Sequence, residues 1–226
     1  MRKLTPRASN YLQNMQRDTD AVTDKEVLEQ FFSSQNLPLF EPVIDFGVRY
    51  SGFTLRTKTK KRDAFSALLV SSQDVKSNRQ YDFEKEGETF LFYCGNHETA
   101  PFYFYINQLG QFCSDGNTGA NVLSSSFEIE VEQYAYKSEL LDWIESPYYE
   151  LGETAELERT LKSEFEIISE CSDDYNGWFV SDKVIIQKGI WLHEPCHYLQ
   201  FFGKTNAALD KITNHLENAA VITVAR

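Results

Sequence analysis

Apolar residues recur every three or four positions in the first part of the chain, which indicates amphipathic helices. The stretch "KEVLEQFFSSQ" has this spacing, and "TDKE" before it predicts a capping box in which the Thr23 hydroxyl caps the helix. A second helix is predicted in "LFEPVIDFGVRYSG", with Pro42 in its first turn. The polar residues 1–22 predict a further helix that is loosely attached.

Between residues 53 and 116 the pattern changes to short apolar or alternating runs, which are typical of strands. Phe102, Phe104 and Ile106 alternate with two tyrosines before the turn "NQLG", so a β-hairpin is predicted there. The other predicted strands of this part are "FTLRT", "AFSALLVSS" and "TFLFYCG".

The stretch 124–144, "SSSFEIEVEQYAYKSELLDWI", fits two patterns. Its first half alternates as a strand does, but taken whole its apolar residues fit one stripe of a helix. The serines before it can cap a helix, and glutamates suit a helix N-terminus. We interpret the stretch as a helix whose acidic stripe is either a solvated face or a docking face. The stripe consists of Glu128, Glu132, Glu139 and Asp142.

The pattern breaks at "ESPYYELGETAEL", which contains Pro147 and Gly152 and predicts a seam between domains. Beyond it we predict a helix over 154–163 and a second helix that opens at Thr205. Strands are predicted near "FEIIS", "WFVSDKVIIQKG", "CHYLQFFG" and "AVITVA". Helices and antiparallel strands in this order predict an α+β fold.

Charge is unevenly distributed along the 226 residues, whose formal net charge is −12. Residues 1–62 carry 11 basic and 7 acidic side chains, whereas residues 124–174 carry 3 basic and 15 acidic ones, a net −12. Phosphates require a positive surface, so nucleic acid is not an expected partner. A basic protein is an expected partner, because opposite charge steers the encounter. The alternative is that the acidity serves only solubility.

The sequence predicts a cytosolic protein without a membrane partner. No apolar run approaches the length of a membrane span, and the start "MRKLTPRASN" lacks the apolar core of a secretory signal. The cysteines at 94, 113, 171 and 196 form no C-x-x-C pair and are expected to be free thiols. Cys196 lies beside His197, which leaves a nucleophilic role for it as an alternative.

The segment "WLHEPCHYL" contains His193-Glu194-x-x-His197, the spelling of a zinc-protease motif. That motif requires a helix, so that both imidazoles reach one metal ion. Pro195 opposes a helix at this point, and the flanking stretches predict strands. We interpret the segment as a loop near a hairpin turn, and we expect no metal and no cofactor. A glycine-rich phosphate loop and a G-x-S-x-G elbow are also missing, so the sequence predicts a protein that is not an enzyme.

Three stretches share a pattern with a known family. "VLEQFFSSQNLPLFEPVIDFGVRYSG" has a helix that meets Leu-Pro and a second helix that ends at an apolar-Gly break. "FLFYCGNHETAPFYFYINQLGQFCSD" has a glycine-marked strand before a hairpin, and "VLSSSFEIEVEQYAYKSELLDWI" has a closing helix entered through Ser and Phe. In these features, which cover about half of the chain, the sequence resembles the SUKH superfamily of bacterial immunity proteins. Residues 150–226 have no clear place in the compact version of that family.

The resemblance implies an α+β fold with a twisted antiparallel sheet flanked by helices, and no catalytic residues. It also implies binding to a cognate toxin, often a nuclease, which the protein neutralises. The expected units are a polar N-terminal segment (1–22), a SUKH-like domain (23–147) and a C-terminal α+β extension (148–226).

Candidate residues for binding a basic toxin come from the acidic stripe and from the loop "ESPYYELGE", in which two tyrosines lie among carboxylates. The tyrosines either contact the partner or pack in the core. The candidates are Glu128, Glu132, Glu139, Asp142, Glu145, Tyr148, Tyr149, Glu150 and Glu153. Two alternatives stay open: a zinc hydrolase that uses His193, Glu194 and His197, and a regulatory scaffold of the same fold without a toxin.

Overall fold

The computed structural model describes residues 2–57, 64–97, 101–116, 119–151, 154–218 and 222–224. Helices combine with antiparallel sheets, so the predicted α+β class is confirmed. The helices are α1 (Pro6–Gln13), α2 (Lys25–Ser34), α3 (Glu41–Tyr50), α4 (Ser72–Ser77), α5 (Phe127–Lys137), α6 (Thr154–Glu164) and α7 (Asn206–Asn218), with a 3-10 turn at Ser169–Cys171.

The strands form two separate antiparallel sheets. The strands of the first sheet are β1 (Thr54–Arg56), β2 (Ala64–Ala67), β3 (Phe83–Glu86), β4 (Thr89–His97), β5 (Tyr103–Asn107), β6 (Phe112–Gly116) and β7 (Gly119–Ser124). The strands of the second sheet are β8 (Ile144–Glu145), β9 (Tyr149–Leu151), β10 (Glu166–Ile167), β11 (Gly177–Val180), β12 (Val184–Ile190), β13 (His197–Gly203) and β14 (Ile222–Val224).

The first sheet has the order β1-β2-β4-β5-β6-β7, and β3 pairs with β4 at the same edge as β2. The register of β4 against β5 shifts between Tyr93 and Gly95. Gly95 has φ +149°, and a Cβ there would lie 2.1 Å from the Ser66 carbonyl oxygen. Only glycine therefore lets β2 approach β4 at this bulge.

Helices α1, α2, α3 and α5 contribute buried residues to the core on one face of the first sheet. Phe32 of α2 packs on Phe92 of β4, and Phe127 of α5 packs on Phe65 and Phe112. The other face carries a small cluster of Leu91, Tyr105 and Cys113, to which only strands of the sheet contribute among the described residues. We call this second face the outer face.

The second sheet has the order β10-β11-β12-β13-β9-β14, with β8 paired to β13. One face packs on α6 and α7. Ile186 and Phe201 of the sheet are buried there together with Leu157 of α6 and Leu216 of α7. The opposite face packs on the chain that follows α5 and on the 3-10 turn. Because both faces are covered, six of the seven residues of β12 are buried, as in strands at the centre of a layered fold.

Helix α5 lies between the two halves of the molecule. Phe127, Val131 and Ala135 join the core of the first sheet, whereas Tyr136 packs against Trp178 of the second sheet. The Gln133 side chain donates to the Cys171 carbonyl, 3.1 Å away. Seven of the eleven residues of α5 are buried, so this helix has no broad solvated face.

Several local predictions need correction. Residues 1–22 are not loosely attached: Ala8 and Leu12 of α1 are buried in the first core. The cap of α2 is Asp24 and not Thr23, since the Asp24 carboxylate accepts from the amides of Glu26 and Val27. The predicted helix over 124–144 ends at Lys137.

The stretch predicted as one strand, "AFSALLVSS", is β2 followed by the start of α4. Ser71 caps α4 with a capping box that includes Asp74. Strand β3 has no counterpart among the predicted strands.

Candidate functional site

Glu128 was expected on a solvated or docking face of α5, and that expectation is wrong. Only 3% of Glu128 is exposed. Its carboxylate accepts hydrogen bonds from the Arg49 guanidinium, 2.5 Å away, and from the Tyr50 hydroxyl, 3.0 Å away. Burial of Tyr50 and the negative charge of Glu128 raise the pKa of the Tyr50 hydroxyl. Glu128 therefore fixes α5 to α3.

Glu132 is likewise buried, with 1% exposed. Its carboxylate accepts from the Thr5 amide at 2.6 Å and from the Thr5 hydroxyl at 2.8 Å. Thr5 is the N-cap of α1, so the negative charge lies at the positive end of that helix, where it is stabilising. The helical spacing placed Glu128 and Glu132 on one stripe correctly, but α1 and α3 cover that stripe.

The rest of the predicted stripe remains accessible. The side chain of Glu139 is 59% exposed and lies 3.7 Å from Arg7, and Asp142 is exposed. Leu141 is also 51% exposed beside it. These residues follow α5, in the segment that leads into β8.

The predicted loop "ESPYYELGE" forms two short strands, β8 and β9, with exposed Glu150 and half-buried Glu145. Tyr149 is buried against Phe201, which fits the core-packing alternative. Tyr148 is half-buried beside Trp191 and Tyr198. Glu153 lies outside the described residues.

The interpretation of "HEPC" as a loop is confirmed, because residues 191–196 connect β12 to β13 without helical structure. The Trp191 amide donates to the Cys196 carbonyl and closes the loop. His193 lies 3.4 Å from Glu194, and Nδ1 of His197 lies 3.3 Å from the Gly189 carbonyl oxygen. In the part of the chain that the structure describes, no group of three His, Cys, Asp or Glu side chains could hold a metal ion.

Of the cysteines, Cys94, Cys113 and Cys171 are buried and Cys196 is exposed, and all are free thiols. Burial raises the pKa of Cys113 and of Cys171 to about 12, so neither is a ready nucleophile.

The outer face of the first sheet presents a further surface, made of residues outside the predicted site. On β5, Tyr103 and Tyr105 point to this face because they alternate with Phe104 and Ile106 of the core. Tyr93 on β4 packs beside both, with ring centroids 6.1 Å from Tyr103 and 6.4 Å from Tyr105. Tyr103 is 54% exposed.

Carboxylates from neighbouring strands surround these tyrosines. The Tyr105 hydroxyl donates to Glu84, 2.9 Å away. Burial raises the pKa of Tyr105, and the hydrogen bond to Glu84 and the charges of Glu84, Asp82 and Asp115 raise it further. Glu86 accepts from the Ala120 amide at 3.0 Å. We call this surface the acidic tyrosine face; its residues are Asp82, Glu84, Glu86, Tyr93, Tyr103, Tyr105 and Asp115.

The sequence contains a signal for this face, in "YDFEKEGE" and "YFYI". Strand alternation places Glu84 and Glu86 on one side of β3, whereas Phe83 and Lys85 lie on the other side, against Phe90. The pairing of β3 with β4 brings the carboxylates to the tyrosines. The sequence pattern of each strand does not indicate which other strand it pairs with.

In the described residues, no helix combines the length and apolar character that crossing a bilayer requires. A comparison of the chain with protein-family models, with curated proteins and with solved structures found no match.

Proposed function

We propose that the protein is a non-catalytic immunity protein that binds a basic toxin and neutralises it, and that the acidic tyrosine face is its contact surface. The observation that carries the proposal is a sheet face on which exposed Tyr103, half-buried Tyr93 and four carboxylates lie around buried Tyr105, and which is not covered by a helix in the described residues. The resemblance of residues 24–144 to SUKH immunity proteins supports the same function.

The composition of this face suits protein recognition. Tyrosines are enriched at interfaces because each buries a large apolar ring and keeps a polar hydroxyl. Carboxylates around them attract a basic partner over a distance and disfavour wrong partners. A sheet face is also rigid, which lowers the entropy lost when a complex forms.

The partner is a toxin with a positively charged surface. A nuclease has such a surface, because its substrate cleft must accept phosphates. A negatively charged surface that covers this cleft blocks substrate without any chemistry on the immunity protein. A role in the producing cell's cytosol follows, since the toxin must be neutralised where its substrate is.

The test uses the purified protein and, as the toxin, the product of a neighbouring gene whose expression kills cells. We expect Glu84→Lys combined with Asp115→Lys to lower the association rate at least tenfold at low salt, because both changes reverse charge on the contact surface. Tyr103→Ala is expected to speed dissociation. Surface plasmon resonance at two salt concentrations measures both rates, and survival of toxin-expressing cells measures protection.

The matched control is Asp142→Lys combined with Glu150→Lys. It changes the net charge by the same amount at two exposed residues of the segment 139–150, which contributes no residue to the acidic tyrosine face. We expect less than a threefold change in association rate, because the total charge changes but the contact surface does not. An equal loss of association rate in the two double variants would show that net charge alone matters. A larger loss in the control would place the contact surface in residues 139–150. Failure of the wild-type protein to bind or protect would reject the immunity function.

A further inference from the structure

A cleft of about 360 Å³ lies between the two halves of the molecule. Phe102 and Phe112 line it from the first half, and Trp191 and Tyr198 line it from the second. This volume is within the range of small-molecule sites, which are often found where two units meet.

An aromatic group forms the wall contributed by the second half. Tyr148, Trp191 and Tyr198 contact one another, with ring centroids 5.0–5.4 Å apart. Gly189 makes room for this wall, because a Cβ there would lie 2.6 Å from the Tyr198 ring. The loop that carries Trp191 is held against the first sheet, since Asn121 donates to the Trp191 carbonyl at 2.6 Å. The wall is therefore fixed in place before any ligand binds.

Amide side chains at the cleft differ in how they are bonded. Gln133 and Asn176 donate to the backbone carbonyls of Cys171 and Leu123. Gln187 is 2% exposed, and its Nε2 donates to the Tyr198 hydroxyl at 3.1 Å. Its Oε1 is buried and has no hydrogen-bond partner among the described residues. A buried acceptor without a donor is unfavourable, and a ligand that supplies the donor removes that cost.

We propose that this cleft binds a small, flat, uncharged aromatic molecule that carries one N–H or O–H donor. The ring lies beside Trp191 and Tyr198, and the donor bonds to Oε1 of Gln187. Aromatic walls favour an aromatic ring through stacked and edge-to-face contacts. The acidic Glu130 and the basic Lys137 both line the cleft, so opposite charges are present and an uncharged ligand suits it best. This inference does not depend on the proposed function, because the acidic tyrosine face is made of other residues.

Indole is a suitable probe, because it is a flat aromatic molecule with one N–H donor and no acceptor of comparable strength. In 1-methylindole a methyl group replaces the donor. We expect calorimetry to show saturable 1:1 binding of indole, with 1-methylindole at least about tenfold weaker. In the Gln187→Leu variant the two probes should bind with affinities within about twofold of each other, because the acceptor is gone.

Gln200→Leu is the matched control. Gln200 is Gln187's partner on the adjacent strand and is also buried, with 3% exposed. This variant should still prefer indole to the same degree as the wild type. The absence of saturable indole binding, or equal binding of both probes to the wild type, would overturn the proposal. A preference that persists in Gln187→Leu would also overturn it. The comparison of indole with 1-methylindole on the wild-type protein tests the proposal even if Gln187→Leu does not fold.

Discussion

The two sheets of this protein differ in how their faces are used. The second sheet is covered on both sides, by α6 and α7 on one face and by the chain after α5 on the other. The first sheet is covered by helices on one face, whereas its outer face carries tyrosines and carboxylates. The faces of the second sheet are therefore held by packing, whereas the first sheet keeps one face without a helix on it in the described residues.

The difference is visible in single strands. In β12, "VIIQKGI", apolar residues stand next to one another because both faces are buried. In β5, Phe104 and Ile106 enter the first core, whereas Tyr103 and Tyr105 lie on the outer face, where Tyr103 is exposed and Tyr105 is buried. Substitutions in the two sheets should therefore differ in their effect on stability.

The largest effect is expected for Phe201→Ala in the second sheet. Phe201 is fully buried and packs on Tyr149, with ring centroids 5.2 Å apart. We expect the free energy of unfolding to fall by about 3–5 kcal/mol, because the substitution leaves a cavity between the second sheet and helices α6 and α7. Urea unfolding measures the change. A loss below about 1 kcal/mol would mean that the second sheet is not packed as described.

A smaller effect is expected for Glu128→Ala. The substitution removes the buried carboxylate that accepts from the Arg49 guanidinium and from the buried Tyr50 hydroxyl. We expect a loss of about 1–3 kcal/mol in the free energy of unfolding. Glu150→Ala removes an exposed carboxylate and should change it by no more than about 0.5 kcal/mol. Equal effects of the two substitutions would contradict the internal role of Glu128.

Alkaline pH should destabilise the fold by a modest amount through Tyr105. The pKa of Tyr105 is raised in the folded protein, so the unfolded chain loses this proton first, near the ordinary tyrosine value of about 10. The stabilising contribution is therefore complete below that pH and declines above it. Tyr105→Phe should make the loss of stability above pH of about 10 less steep in urea unfolding. If stability falls with pH equally steeply in the variant and in the wild type, Tyr105 ionises equally in the folded and unfolded states.

The smallest effect on stability is expected for Tyr103→Ala. Tyr103 lies on the outer face and is 54% exposed, so its removal should cost no more than about 0.5 kcal/mol in urea unfolding. Under the proposed function, the same variant is also expected to dissociate faster from the toxin. A large loss of stability would mean that the outer face is part of the core and not a contact surface.

Strong local patterns allowed many elements to be predicted. The apolar spacing of α2 and α3, the alternation of β5 and the turn before β6 each depend on neighbours in sequence, and these elements are present. The prediction failed where a distant segment decides the outcome. Glu132 is buried because α1 packs against α5, and Thr5 of the α1 cap, 127 positions away in sequence, donates to its carboxylate. Nothing in the pattern around Glu132 indicates that contact.

The sequence by itself determined the α+β class, most helices and strands, and the loop at His193, because propensities, apolar periodicity and Pro195 act over short distances. Only the tertiary structure decided which carboxylates remain outside. It placed α5 between the two halves, and Glu128 and Glu132 became internal hydrogen-bond acceptors. It also paired β3 with β4, which brought Glu84 to Tyr105. The physical reason is that burial depends on which surfaces pack together, and a periodic pattern specifies a face without specifying what covers it.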